Sequence, residues 1–308
     1  MTLLFKVDDA RGRIWKSLFE HHAPDIEVRV WPDIGNPLDI RYFAAWQPPR
    51  QLHERFANLE VVFATSAGVD QFDLDALPGH IKLVRMLDPG IIQGIVEYAC
   101  CAVLSLHRQF PLYLQQQQAR CWQDHLLTAA AQRRVGVMGL GNLGRAVLHS
   151  LRAFNFQLHG WARSHKCIDG VQCHAGSDQL ETFLHQCDIL ICLLPLTDDT
   201  RGILNAKTLA ALPKGASLIN LGRGGHLKED DLLEALDSGH LNHAILDVLN
   251  DEPPSPGHRF WQHPRVWLTP HIGAMTAPQS AFEGLLANIR RHQAGEPLHG
   301  LINRDRGY

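Results

Sequence analysis

Val135-Gly136-Val137-Met138-Gly139-Leu140-Gly141-Asn142-Leu143-Gly144 runs from an apolar strand through a glycine-spaced turn into residues 143–154, where Leu143, Val147, Leu151 and Phe154 recur at helical spacing. Gly-x-Gly-x-x-Gly alone is weak evidence, because glycine also serves turns and close packing. The strand before it and the helix after it give it a mechanism. Gly139 permits the tight turn, Gly141 lets the backbone approach a pyrophosphate, and Gly144 lets helix and strand pack closely. The helix start, at Asn142 and Leu143, then offers free N–H groups and the positive end of the dipole to negative charge. The competing reading is a glycine-rich turn with no ligand.

Outward from this loop, short apolar runs alternate with helical stretches, the order of βαβ units and a parallel sheet covered on both faces. Beyond Arg134, strands are expected near 135–138, 157–161, 188–193, 217–220, 244–248 and 266–268, the six of a doubly wound dinucleotide fold. Before it lies a smaller α/β unit, with strands near 3–7, 27–30, 42–46, 61–64 and 83–86 and helices near 11–21 and 49–56. Helical stretches near 92–106 and 113–122 connect the two. A last helix near 279–292 should return to the first unit, making that domain discontinuous.

Composition narrows the function. The 308 residues are 45% hydrophobic and 20% charged, with 29 basic and 32 acidic side chains and a formal charge of -3. The apolar mass excludes a disordered chain, and the near-neutral balance offers no broad footprint for nucleic acid. The longest apolar runs, 99–104 and 189–194, are far short of the roughly 20 residues that span a bilayer, so no membrane role is expected. Residues 1–9 read as a strand followed by acid, not as a signal sequence. Seven cysteines without a Cys-x-x-Cys pair mostly fall in apolar runs and read as reduced, buried thiols in a cytoplasmic protein. Nineteen histidines are scattered, and His21-His22 lacks the spacing of a metal site, so no metal is expected.

The strand after the glycine loop selects the dinucleotide. An acid about 20 residues on would bind the ribose 2′-hydroxyl of NAD. Here the position 19 residues beyond Gly144 is Arg163, followed by Ser164 and Lys166. A guanidinium, a hydroxyl and an ammonium suit a 2′-phosphate, which predicts NADPH as the preferred cofactor and NADH as the weaker. The plainer alternative is a solvated basic turn.

Three later segments carry polar residues where strand C-termini are expected: Asn220-Leu221-Gly222-Arg223, Asp247-Val248 with Glu252-Pro253, and Thr269-Pro270-His271-Ile272-Gly273. Ligands of open α/β sheets bind outside those ends. Singly, Arg223 could be a surface cation, Glu252 a solvated loop acid and His271 a core histidine. Together, downstream of a phosphate loop, they read as a catalytic set.

The chain resembles the D-2-hydroxyacid dehydrogenase family over nearly its whole length. The carriers are Gly139 to Gly144, Leu194-Pro195-Leu196-Thr197 with Thr200-Arg201-Gly202, Asn220 to Gly225, Asp247-Val248 with Glu252-Pro253, and Thr269 to Gly273. Ala67-Gly68-Val69-Asp70, Arg85 to Gly90 and Glu97-Tyr98 most resemble its branch of glyoxylate and hydroxypyruvate reductases. The resemblance implies two doubly wound parallel-sheet domains: a Rossmann cofactor domain, 99–279, inserted in a smaller flavodoxin-like substrate domain, 1–98 and 280–308. It implies that Arg223 grips the carboxylate and keto oxygen of a 2-oxo acid, that His271 donates a proton to that oxygen, and that Glu252 holds His271 protonated and oriented. Asp247 would contact the nicotinamide amide, and Leu194, Pro195 and Leu221 would line the cofactor. Backbone N–H groups around Ala67, Gly68 and Val69 would take the substrate carboxylate in an interdomain cleft. Trp46 either walls the pocket, favouring small substrates, or is a core tryptophan. Phe110, Pro111, Tyr113 and Trp122 make the connecting arm apolar enough for the family's homodimer. The alternatives are a reductase of another 2-oxo acid, of D-lactate or phenylpyruvate type, and a dinucleotide-sensing corepressor-like binding protein.

Overall fold

The structure, a computed structural model, describes residues 1–49, 51–66 and 68–304. Ala67 lies outside the described residues. The chain divides into two compact units, Met1–Ile91 with Met275–Tyr308 and Ile92–Ala274. The boundaries expected at 98/99 and 279/280 therefore move toward the N-terminus. The cause at the first is local: the connecting helix already packs Ile95 and Ala99 into the second unit's core.

In the first unit the elements are β1 (Thr2–Lys6), α1 (Asp9–His22), β2 (Glu27–Val30), β3 (Ile40–Ala45), α2 (Leu52–Arg55), β4 (Val61–Ala64) and β5 (Lys82–Arg85). The strands pair in parallel in the order β2-β1-β3-β4-β5, the flavodoxin-like order. Asp8 caps α1 by accepting the Arg11 N–H. Trp15 and Phe19, one turn apart, are buried, and Trp15 stacks on Phe5 of β1 with ring centroids 4.7 Å apart.

The second unit starts in α3 (Pro89–His107) and α4 (Phe110–Gln118). It continues through β6 (Arg134–Met138), α5 (Asn142–Leu151), β7 (Gln157–Ala162), β8 (Gln172–Ala175), α6 (Leu180–Leu184) and β9 (Ile189–Cys192). It ends with α7 (Ala206–Ala210), β10 (Ala216–Asn220), α8 (Glu229–Asp237), β11 (Leu241–Leu246) and β12 (Val266–Leu268). The seven strands are all parallel, ordered β8-β7-β6-β9-β10-β11-β12. The strand order reverses between β6 and β9, and the glycine loop leaves β6 at that switch point. The doubly wound architecture expected from the sequence is thus present in both units, with one strand more than the six read in the second. α9 (Pro278–Gln293) closes the first unit, where Phe282 meets Phe19 edge-on at 5.0 Å.

α3 corrects the reading of apolar runs. Its 19 residues have a mean hydropathy of 1.5 over the most apolar window, so by length and composition it could cross a membrane. It instead packs one face, Ile95, Ala99, Ala102, Val103 and Leu106, with Val135 and Val137 of β6 in the second core. The α4 region also differs: the helix ends at Gln118, short of Trp122, and residues 121–129 have no regular structure. All seven cysteines are free thiols, but only Cys187 and Cys192 are buried. Cys100 on α3 and Cys173 on β8 are half-buried against the second core, and Cys101, Cys121 and Cys167 are exposed.

Candidate active site

The three glycines of the loop after β6 answer to different demands. Gly139 has φ +104, and a Cβ there would lie 2.6 Å from the Leu193 carbonyl oxygen. A Cβ on Gly144 would lie 1.9 Å from the Gly139 carbonyl oxygen. Packing and backbone conformation therefore require both. Gly141, the N-cap of α5, has φ -79, and a Cβ would meet nothing within 4 Å. Nothing in the protein requires glycine at 141, so the open space beside it is a cradle that a side chain would fill. No side chain caps α5, which leaves the N–H groups of Asn142, Leu143 and Gly144 for an anion. This arrangement fits a dinucleotide pyrophosphate. Leu194 and Leu221 follow β9 and β10, both on one side of the switch point, and are almost fully buried, with Pro195 exposed beside them.

At the C-terminal end of β7, Arg163 and Ser164 are exposed and Lys166 is half-buried. Arg163 lies 3.8 Å from Asp199, with 68% and 80% of the two side chains exposed. Such a pair is worth little in water, so the guanidinium can turn to a stronger anion.

The polar set converges from the neighbouring strands β10, β11 and β12. Arg223 is held in extended conformation after β10. Asn220 donates from Nδ2 to its carbonyl at 3.0 Å, and its own N–H donates to His226 Nδ1 at 3.0 Å. A Cβ on Gly224 would lie 1.9 Å from the carbonyl carbon of Leu249. That close approach presses the Arg223 loop against the loop carrying Glu252.

Glu252 and His271 meet directly. Glu252 Oε1 accepts the Leu249 N–H at 2.9 Å, and Oε2 lies 2.7 Å from His271 Nδ1. Burial by itself would raise the Glu252 pKa. The His271 hydrogen bond, the Leu249 N–H, and the nearby charges of His271 and Arg223 outweigh it and hold the carboxyl below its usual range. The ionised oxygen can only accept, so His271 Nδ1 carries the proton of the pair. His271 has φ +54, a left-handed conformation costing about 1–3 kcal/mol that a functional site typically retains.

Asp247, 3% exposed after β11, serves the same loop. Its Oδ1 accepts from Thr269 Oγ1 at 2.6 Å and from the Ile272 N–H at 2.8 Å, and its Oδ2 from the Gly273 N–H at 2.8 Å. A carboxylate oxygen takes two hydrogen bonds, so one position remains open on Oδ2. The sequence reading gave Asp247 only a nicotinamide contact and did not foresee its hold on this loop.

In the first unit, Trp46 follows β3 and is 45% exposed, which decides against a core tryptophan. Gly68 and Val69 follow the adjacent strand β4. The loop is shaped by Ser66 Oγ donating to the Gly68 carbonyl at 2.7 Å and by Gln71 Nε2 donating to Ser66 Oγ at 2.9 Å. Residues 46 and 68–69 thus share the C-terminal edge of that sheet.

Sequence reasoning passed over Asn220 and Thr269, though both lie inside quoted motifs, and over His226. His226 is fully buried and accepts at Nδ1 from the Arg223 N–H, so it is the neutral tautomer whose Nε2 donates to the Pro195 carbonyl at 3.2 Å. A histidine directly after a glycine pair was the available signal.

A family model described as the NAD binding domain of D-isomer specific 2-hydroxyacid dehydrogenases matches residues 100–273. The chain is 40% identical, across the full length of both proteins, to the glyoxylate/hydroxypyruvate reductase A of Serratia proteamaculans. A D-isomer specific 2-hydroxyacid dehydrogenase of Xanthobacter autotrophicus, crystallised with NADPH and MES, superposes with a TM-score of 0.93 at 37% identity, covering 100% of this chain and 99% of that one. The NADPH-dependent glyoxylate/hydroxypyruvate reductase of Sinorhizobium meliloti, crystallised with NADP and sulfate, gives a TM-score of 0.93 at 34% identity with the same coverage. The chain belongs to the D-isomer specific 2-hydroxyacid dehydrogenase family.

Proposed function

We propose that this protein is an NADPH-dependent reductase of small 2-oxo acids, converting glyoxylate to glycolate and hydroxypyruvate to D-glycerate. The observation that carries the reading is the 2.7 Å Glu252–His271 pair, with the Arg223 charge beside it, at the C-terminal ends of strands in the same parallel sheet as the glycine loop. The full-length relatives whose names specify that reaction support it.

When bound, NADPH would supply hydride chemistry to the keto carbon. Arg223 holds the carboxylate and keto oxygen and stabilises the charge developing on that oxygen. His271 Nε2 delivers the proton that completes the hydroxyl, and Glu252 balances and orients the ring through Nδ1. Gly139, Gly141, Asn142, Leu143 and Gly144 would hold the pyrophosphate, Leu194, Pro195 and Leu221 would line the cofactor, and Asp247 would contact the nicotinamide amide. Arg163, Ser164 and Lys166 take the 2′-phosphate. Trp46, Gly68 and Val69 would bind substrate, with the bulk of Trp46 favouring the smaller acids.

The test is NADPH oxidation with glyoxylate, hydroxypyruvate, pyruvate and phenylpyruvate. Turnover should favour the first two. Absence of turnover with all four, with NADPH still bound, would support a dinucleotide-sensing binding protein. Arg163→Asp should lower the NADPH/NADH preference about tenfold or more, and an unchanged ratio would remove that residue from the phosphate site.

The active species is a homodimer in a cytoplasmic setting. Trp122 and Leu126 are 104% and 98% exposed, and Phe110 and Leu114 are about half exposed, which leaves an apolar face on α4 and the segment after it. Pro111 is buried within its own chain and Tyr113 bonds the His125 N–H, so neither offers the dimer what its sequence position promised. Sedimentation should show a dimer that Trp122→Glu weakens.

A further inference from the structure

The loop that presents His271 is also held from α3. Gly94 and Tyr98 are one helical turn apart and so share a face of that helix. A Cβ on Gly94 would lie 3.2 Å from the Gly273 carbonyl oxygen, and the Tyr98 hydroxyl lies 2.6 Å from Thr269 Oγ1. The direction of that bond follows from chemistry. Thr269 has one hydroxyl proton, and it goes to the Asp247 carboxylate, which can only accept. Tyr98 must therefore donate to Thr269.

The chain of donors ends on one residue that gathers three successive main-chain N–H groups. His271 N–H donates to the Asp247 carbonyl at 2.9 Å, and the Ile272 and Gly273 N–H groups donate to its carboxylate. Successive N–H groups closing on an anion form a nest, and this nest is what keeps His271 in its left-handed conformation. Gly273 has no room for a side chain, since a Cβ would lie 2.9 Å from Asp247 Oδ2.

We infer that Tyr98 is a positioning residue for proton transfer, acting through Thr269 and Asp247 on the backbone that aims His271. The inference rests on the reading of His271 as the proton donor. Burial, only partly offset by the Thr269 hydrogen bond, pushes the Tyr98 pKa up to about 12, so its hydroxyl remains a donor at any working pH. Linked donors polarise one another, so removing the outermost one weakens the bonds further in.

The test is Tyr98→Phe, which keeps the ring and removes the hydroxyl. With saturating NADPH and glyoxylate, kcat should fall about tenfold, the size of effect expected from a misplaced reacting group. Both KM values should stay within about twofold, because ground-state binding is untouched. Thr269→Val should fall at least as far, Thr269→Ser should recover most of that loss, and adding Tyr98→Phe to Thr269→Val should cost little more. Hydrogen exchange of the segment 269–275 should quicken in Tyr98→Phe at unchanged Tm. An unchanged kcat, a KM that rises in step with the loss, or a fall in kcat with unaltered exchange would each overturn the inference. Wild-type protein that turns over no 2-oxo acid would overturn the functional reading instead, and the exchange measurement would still decide whether Tyr98 holds the loop.

Discussion

At the β10–β12 end of the second unit's sheet, Asn220, His226, Asp247, Glu252, Thr269 and His271 all bond to one another or to nearby backbone. At the opposite edge, His159 of β7 and His174 of β8 are also buried, stacked with centroids 6.2 Å apart, yet His159 Nδ1 and His174 Nε2 have no hydrogen-bond partner among the described residues. His243 Nε2 and His107 Nδ1 are likewise unsatisfied. The two regions are built from similar residues and put them to different uses. A buried polar group with a complete set of partners is fixed in position. A buried imidazole without them is an apolar ring that must stay neutral. On the proposed function, geometry matters for the reaction only in the first region, and there the bonding is dense.

The sharpest way to break the satisfied region is His271→Ala. Loss of a general acid costs about 10²–10⁴-fold in rate, so kcat should fall by that factor while NADPH still binds. Residual activity within about tenfold of wild type would mean that another group delivers the proton. Glu252→Gln is the milder cut. The amide can still accept from Leu249, but it offers no negative charge to an imidazolium. Rate should fall about ten- to hundredfold. A rate within about twofold of wild type would remove Glu252 from the proton transfer.

The glycine loop separates ligand demand from packing demand. Gly144→Ala places a Cβ 1.9 Å from a backbone oxygen, and overpacking of this kind costs about 1–3 kcal/mol, visible as a lowered Tm. Gly141→Ala meets no protein atom, so Tm should barely change, while the KM for NADPH should rise about tenfold because the side chain occupies the cradle. Equal thermal effects in the two variants would contradict the assignment of the space beside Gly141 to a ligand.

Much of this was legible in the sequence for the same reason. The glycine loop, Arg223, Glu252 and His271 follow apolar strands, and strand order then brings their ends together. β8 was missed because Gln-Cys-His-Ala lacks both an apolar run and clean alternation, as an edge strand can. Tyr98 was quoted only as part of a resemblance. Its partner Thr269 is 171 residues away, and no local pattern announces that contact. Trp46 admitted two readings, and its exposure removes the core one.

The unsatisfied region makes the smallest prediction, and its sign can be derived. Burial lowers the pKa of His107, His159, His174 and His243 from the ordinary 6.5; neighbouring cations add to the effect at His107 and His243, and His174 and Arg134 at His159. For His243 the value reaches about 4. Below pH 6.5 the unfolded chain therefore binds protons that the folded chain refuses, and stability falls as pH falls. The loss begins under pH 6.5 and, for His243, continues to about 4, so Tm should drop by a few degrees per pH unit across that window. The double variant His159→Phe with His174→Phe should flatten the slope, since phenyl rings keep the packing and bind no proton. Glu252→Gln should leave it almost unchanged. A slope that follows Glu252 and ignores the paired histidines would place the acid weakness at the catalytic end and reverse the contrast.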